Sequence, residues 1–100
     1  MSVRGYEIVL MPAAIVDLDR LRKYDAVWVA EGIEKFLTHR PTQVSKTGIK
    51  KLRGVTDPDY RLRIRDFRIF YNVDEEERKV WILRVLHKVE TEEFYREVKP

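Results

Sequence analysis

Residues 60–68 read Tyr-Arg-Leu-Arg-Ile-Arg-Asp-Phe-Arg, and this run carries the strongest hint of chemistry in the chain. Side chains alternate across a strand, so Leu62 and Ile64 belong to one face and Arg61, Arg63 and Arg65 to the other. A guanidinium offers a fixed fork of donors that suits phosphate oxygens. Arg68, on the following strand, joins the same face if the chain turns tightly near Asp66. The competing reading is an ordinary exposed strand whose arginines pair with Asp57, Asp59 or the acids at 74–77. His87 and Lys88 close a long apolar run, where an imidazole beside a basic face could hand a proton to a leaving oxygen. A lone histidine is also commonly structural. His39, just before Pro41, reads as a helix C-terminal partner. Tyr95, beside Phe94, either packs its ring or presents its hydroxyl for catalysis or base stacking.

The charge pattern points the same way. The chain of 100 residues has a net charge of +3. Residues 1–45 balance to zero, residues 46–68 sum to +5 and residues 69–100 to −2. Lys46, Lys50, Lys51 and Arg53 precede the arginine strand, and with Arg65 they form the candidate polyanion-binding set. So concentrated a positive field favours a polyanion such as nucleic acid, or an acidic protein, over an uncharged ligand. The alternative is a merely solvated surface.

Other chemistries lack their residues. Cysteine is absent, which excludes a disulfide scaffold and a thiol nucleophile. There is no glycine-rich phosphate loop, no serine-nucleophile motif and no metal-spaced cluster of His, Asp and Glu. No apolar run is long enough to span a bilayer, and the first stretch is interrupted by Arg4 and Glu7, so a cytoplasmic setting is expected.

These residues need a scaffold, and hydrophobic periodicity supplies one. Residues 6–10 predict a strand. Pro12 suits a first helical turn, and Ala14, Leu18 and Leu21 mark an amphipathic helix over 13–23, with Asp17, Asp19, Arg20, Arg22 and Lys23 on its other side. Tyr24-Asp25 predicts a break, and a second helix runs from Ala26 to Leu37, stopped by Pro41. Two such helices form a hairpin whose apolar stripes need a sheet to cover. Residues 42–59, rich in turn formers, predict a basic loop with at most one short helical turn. Strands follow at 60–66, 67–73 and 79–87, the last apolar enough to be buried on both faces, with Trp28 and Trp81 assigned to the core. Thr91 caps a final helix ending at Val98. The predicted class is α+β in one domain over residues 1–100: a mostly antiparallel four-stranded sheet in the order β-α-α-β-β-β-α, covered by the helical hairpin.

Taken in order, Lys51-Leu52-Arg53-Gly54, Tyr60 to Arg65, Phe67 to Val73, Val85-Leu86-His87-Lys88 and Phe94-Tyr95-Arg96 resemble the RelE/ParE superfamily of bacterial toxins along essentially the whole chain. The RelE side of the resemblance implies cleavage of mRNA in the ribosomal A site without metal or cofactor, by attack of a ribose 2′-hydroxyl on its own 3′ phosphate. It implies catalytic roles for Arg61, Arg63, Arg68, His87 or Lys88, and Tyr95. Arginine stands at 61 and 63 where those enzymes carry basic residues including lysine, and arginine holds its proton tightly. The ParE side implies a non-enzymatic inhibitor of DNA gyrase. Both imply a cognate antitoxin as partner; the ribosome and mRNA are partners on the RelE reading only.

Overall fold

The computed structural model of the protein describes residues 5–54 and 57–98, so Arg4 and, from the predicted basic loop, Val55 and Thr56 lie outside the described residues. The elements are β1 (Glu7–Leu10), α1 (Pro12–Asp19), α2 (Lys23–Leu37), β2 (Ile49–Lys51), β3 (Tyr60–Ile64), β4 (Phe67–Asp74), β5 (Lys79–His87), a 3-10 turn (Lys88–Glu90) and α3 (Thr91–Val98). The strands form one sheet in the order β1-β5-β4-β3-β2. β1 runs parallel to β5, and the other pairings are antiparallel.

The sheet therefore has five strands and is mixed, where four mostly antiparallel strands were expected. The added strand is β2, inside the stretch read as a loop. Three residues are too few to show alternation, and β2 exists because Ile49, Lys50 and Lys51 register against Leu62, Arg61 and Tyr60. Ser45 accepts from the Gly48 and Ile49 amides and turns the chain into it. The helical break also falls earlier than expected, at residues 20–22. Asp25 lies in the first turn of α2, where a carboxylate complements the helix dipole, so it opens the helix rather than interrupting it.

One face of the sheet carries Leu62, Ile64, Phe67, Ile69, Tyr71, Ile82 and Val85, packed with Ala14, Val29, Ile33 and Leu37 of the two helices. α1 lies against β5 and α2 against β3. Gly32 lets α2 approach the sheet: a Cβ there would sit 2.3 Å from Ile64 Cδ1. Tyr71, fully buried, donates from its hydroxyl to the Pro41 carbonyl at 2.6 Å, and burial pushes its pKa up. Full burial of one such aromatic is worth about 1.5–3 kcal/mol.

The two tryptophans are not core residues. Trp28 is 39% exposed and Trp81 is half-buried. Only Val80 and Ile82 face inward along the first half of β5, so that strand is not covered on both sides there. Asp17, by contrast, is buried although its place on α1 read as solvent-facing. β1 stops at Leu10, opposite Ile82, and beyond that point the Val85 amide has no strand beside it. Asp17 accepts from the Val85 amide at 2.8 Å and binds Arg84 in a fork, Nε at 2.8 Å and Nη2 at 3.0 Å. A buried carboxylate is sustained by this many donors. No helix among the described residues is long and apolar enough to cross a membrane.

Candidate functional site

The second face of the sheet is built by register. Arg63 lies directly opposite Arg68, and Arg61 opposite Phe70. Arg68 in turn opposes Leu86, and Phe70 opposes Arg84. Lys50 extends the row beyond Arg61. Residues opposed in an antiparallel ladder share a face, so Lys50, Arg61, Arg63, Arg68 and Arg84 stand together around an apolar floor. α3 closes one side of that floor. Phe94 and Tyr95 meet Phe70 with ring centroids 4.5 and 5.6 Å apart, and Leu52, Leu86 and Val98 join the cluster.

Arg68 is fixed by its own turn: Nη1 donates to the carbonyls of Arg65 and Phe67, each at 3.0 Å. Burial, then the charges of Arg61 and Arg63, pull its pKa below the ordinary arginine value, against weaker opposing effects of Asp66 and Tyr95. Among the described residues no carboxylate pairs with Arg61, Arg63 or Arg68. Three of the acids that could have neutralised them are held elsewhere: Asp57 accepts from Asn72, Asp74 from the Glu77 amide, and Glu75 from Tyr6. Arg61 Nε is buried with no hydrogen-bond partner. A buried donor without an acceptor and three crowded cations together define a place where an anion lowers the energy.

Lys50, Lys51, Leu52, Arg53, Arg61 and Tyr95 line a groove of about 640 Å³ on this side. Lys51 also leans over the Tyr60 ring at 5.1 Å. Gly54, at φ +72°, takes the left-handed turn that ends this basic segment. Of the other residues singled out from sequence, Lys46 is exposed on the loop before β2 and does not line the groove.

Three placements differ from expectation. Arg65 is not on the strand face: it sits in the β3–β4 turn at φ 53°, and its guanidinium stacks 3.7 Å from the Trp28 ring centroid of α2. His87 opposes Phe67, which belongs to the helix-covered face, so alternation carries it away from the arginines. Its Nδ1 accepts from the Val89 amide while Glu90 accepts from the His87 amide, which makes it the cap of the 3-10 turn. Lys88 is exposed and ion-paired with Asp66 at 3.4 Å. The structure thus brings together Arg61, Arg63, Arg68 and Tyr95, and leaves His87, Lys88 and Arg65 outside. Thr91 does not cap α3 through an amide either; its hydroxyl donates to the Lys88 carbonyl.

Sequence reasoning missed Arg84 and the apolar floor of Phe70, Leu86 and Phe94. A signal for Arg84 was present, since Arg84, Leu86 and Lys88 alternate, but its burial partner lies 67 positions away.

The profile of the family described as "ParE toxin of type II toxin-antitoxin system, parDE" matches residues 8–91. No curated protein matches the chain. Solved structures do. The toxin–antitoxin complex RelBE2 of Mycobacterium tuberculosis contains a chain 29% identical, covering 83% of this chain and 98% of that one, with a TM-score of 0.66. The archaeal RelE–RelB complex of Pyrococcus horikoshii gives 26% identity, 83% and 94% coverage and a TM-score of 0.67. A free mutant of Escherichia coli toxin RelE shares the fold, at 23% identity, 94% coverage of both chains and a TM-score of 0.69. With a RelE-like fold and a family match over nearly its whole length, the chain belongs to the ParE toxin family of type II toxin–antitoxin systems, within the RelE/ParE superfamily.

Proposed function

We propose that this toxin inhibits translation by cutting mRNA on the ribosome. The observation that carries the reading is the convergence of Arg61, Arg63 and Arg68, unpaired with any carboxylate among the described residues, beside the Tyr95 helix. In the reaction a ribose 2′-oxygen bonds to the adjacent phosphorus, the bond to the next nucleotide's 5′-oxygen breaks, and a 2′,3′-cyclic phosphate and a 5′-hydroxyl remain. Negative charge accumulates on the phosphorus oxygens as the transition state forms. Arg68, held by the turn carbonyls, is set to grip that phosphate, with Arg61 and Arg63 neutralising the added charge. Tyr95 is the one neutral proton carrier in the group and is the residue assigned to protonate the leaving oxygen.

The face offers no imidazole as proton acceptor: His87 is turned away, and apart from Lys50 its cations are arginines, which hold their protons tightly. That shortage favours a reaction completed by a larger assembly over one on free RNA. The same shortage is the specific observation in favour of a second reading, a non-enzymatic inhibitor of DNA gyrase. The RelB-bound neighbours support a cognate antitoxin as the protein partner, and an acidic segment would meet the positive 46–68 region.

The test is inducible expression followed by mapping of mRNA 5′ ends, repeated in a purified translation system with and without ribosomes. New 5′-hydroxyl ends only where ribosomes are present are expected. Uncut mRNA together with a fall in gyrase supercoiling would instead establish the second reading.

A further inference from the structure

On the opposite side of β2 from the Tyr95 groove lies another groove, of about 590 Å³, between the C-terminal end of α2 and the loop before β2. Its rim carries Lys35, His39, Arg40 and Arg63, and Ile49 and Leu62 form its floor. None of its described lining residues is a carboxylate. His39, just past the end of α2, also lines this wall. Phe36 also lines it, with 45% of its surface exposed and Lys35 Nζ 5.4 Å from the ring centroid. The exposed phenyl ring thus stands inside a cationic wall, with Lys35 beside it.

We infer that this groove binds single-stranded RNA flanking the reacting phosphate, with Phe36 stacking a base and Lys35 and Arg40 holding its phosphates. Three features favour RNA. The wall is cationic, which suits a backbone carrying one charge per nucleotide. It holds an aromatic platform, which with a basic track is the usual means of gripping an unpaired strand. And it is continuous with the arginine face: Arg63 lines this groove while standing directly opposite Arg68. A strand whose phosphate lies on Arg68 therefore passes Arg63 and rounds the end of β2 into the second groove. The inference rests on the reading of the arginine face as an RNA site, but not on cleavage.

The test uses the whole protein and a labelled, fully 2′-O-methylated oligouridine of about ten nucleotides, which cannot be cleaved. Binding is read by fluorescence anisotropy across a low-salt series. Phe36→Ala is expected to weaken binding roughly tenfold, with Phe36→Trp restoring it. Lys35→Glu with Arg40→Glu is expected to weaken it further and to flatten the log–log salt slope by about 1.4, the value for two lost phosphate contacts on a single strand. All three positions are exposed, and unchanged melting temperatures confirm intact folding. Wild-type affinity in both the Ala and the double-Glu variants would overturn the inference, as would no measurable binding by the wild type. Loss of antitoxin capture in these variants with unaltered RNA binding would also overturn it, and would make the groove a protein-docking surface. If mRNA proves uncut in the translation assay while Phe36→Ala still loses the oligonucleotide, the groove stands and only the nuclease reading falls.

Discussion

Arg68 on β4 and Arg84 on β5 occupy one face of one sheet, and their electrostatics are opposite. Asp17 grips Arg84 through a fork of two hydrogen bonds and raises its pKa. Arg68 has two other arginines for neighbours, and burial and those neighbours lower its pKa. The fold has completed one guanidinium and left the other unfinished. A paired arginine joins elements: Arg84 ties α1 to β5 and lies 5.9 Å from the Phe94 ring of α3. An unpaired one repels its surroundings until an anion arrives, which is the condition for recognising phosphate. Residue type alone does not separate structural from functional arginines; the nearest carboxylate does.

Four substitutions probe this contrast. Arg68→Ala is expected to abolish growth arrest on induction while the protein still folds and captures its antitoxin, as read by plating and co-purification. Retained toxicity would remove Arg68 from the mechanism. Asp17→Ala strands the Arg84 charge and the Val85 amide, and should cost about 3 kcal/mol in chemical denaturation, the lower end for breaking a buried pair because Arg84 is partly exposed. Arg65→Ala removes the guanidinium from the Trp28 and Tyr24 rings; a loss of about 0.5–1 kcal/mol with toxicity unchanged is expected. Arg63→Glu gives Arg68 the carboxylate it lacks, directly across the ladder. It should raise stability by about 0.5 kcal/mol while toxicity falls, a divergence that a melting curve and a growth assay check together.

The contrast also marks what could be read from sequence. The alternation of Arg61, Leu62, Arg63 and Ile64 fixed the faces of β3 correctly, and Arg65-Asp66 does form the turn that brings Arg68 alongside. Both are local, with period and partner within ten residues. Asp17 was misread because nothing within a helical turn of it announces Arg84. Its burial depends on where β1 happens to end. Arg65 was misread because alternation was carried one residue too far, into the turn. His87 was placed beside the basic face because strand ends were considered without register. Once Leu86 is known to oppose Arg68, the next residue must point the other way. β2 left no periodic trace because a three-residue edge strand borrows its geometry from its neighbour.

The parallel pairing of β1 with β5 also constrains the order of assembly. Among the described strands β1 pairs with β5 alone, through residues 79–82, so β1 leaves a translating ribosome well before its partner. Contacts this distant in sequence form slowly. Arg84, Leu86 and the α3 platform lie on or beyond that same late strand. A nascent chain therefore exposes its basic segment before the strand and helix that complete the arginine face have emerged.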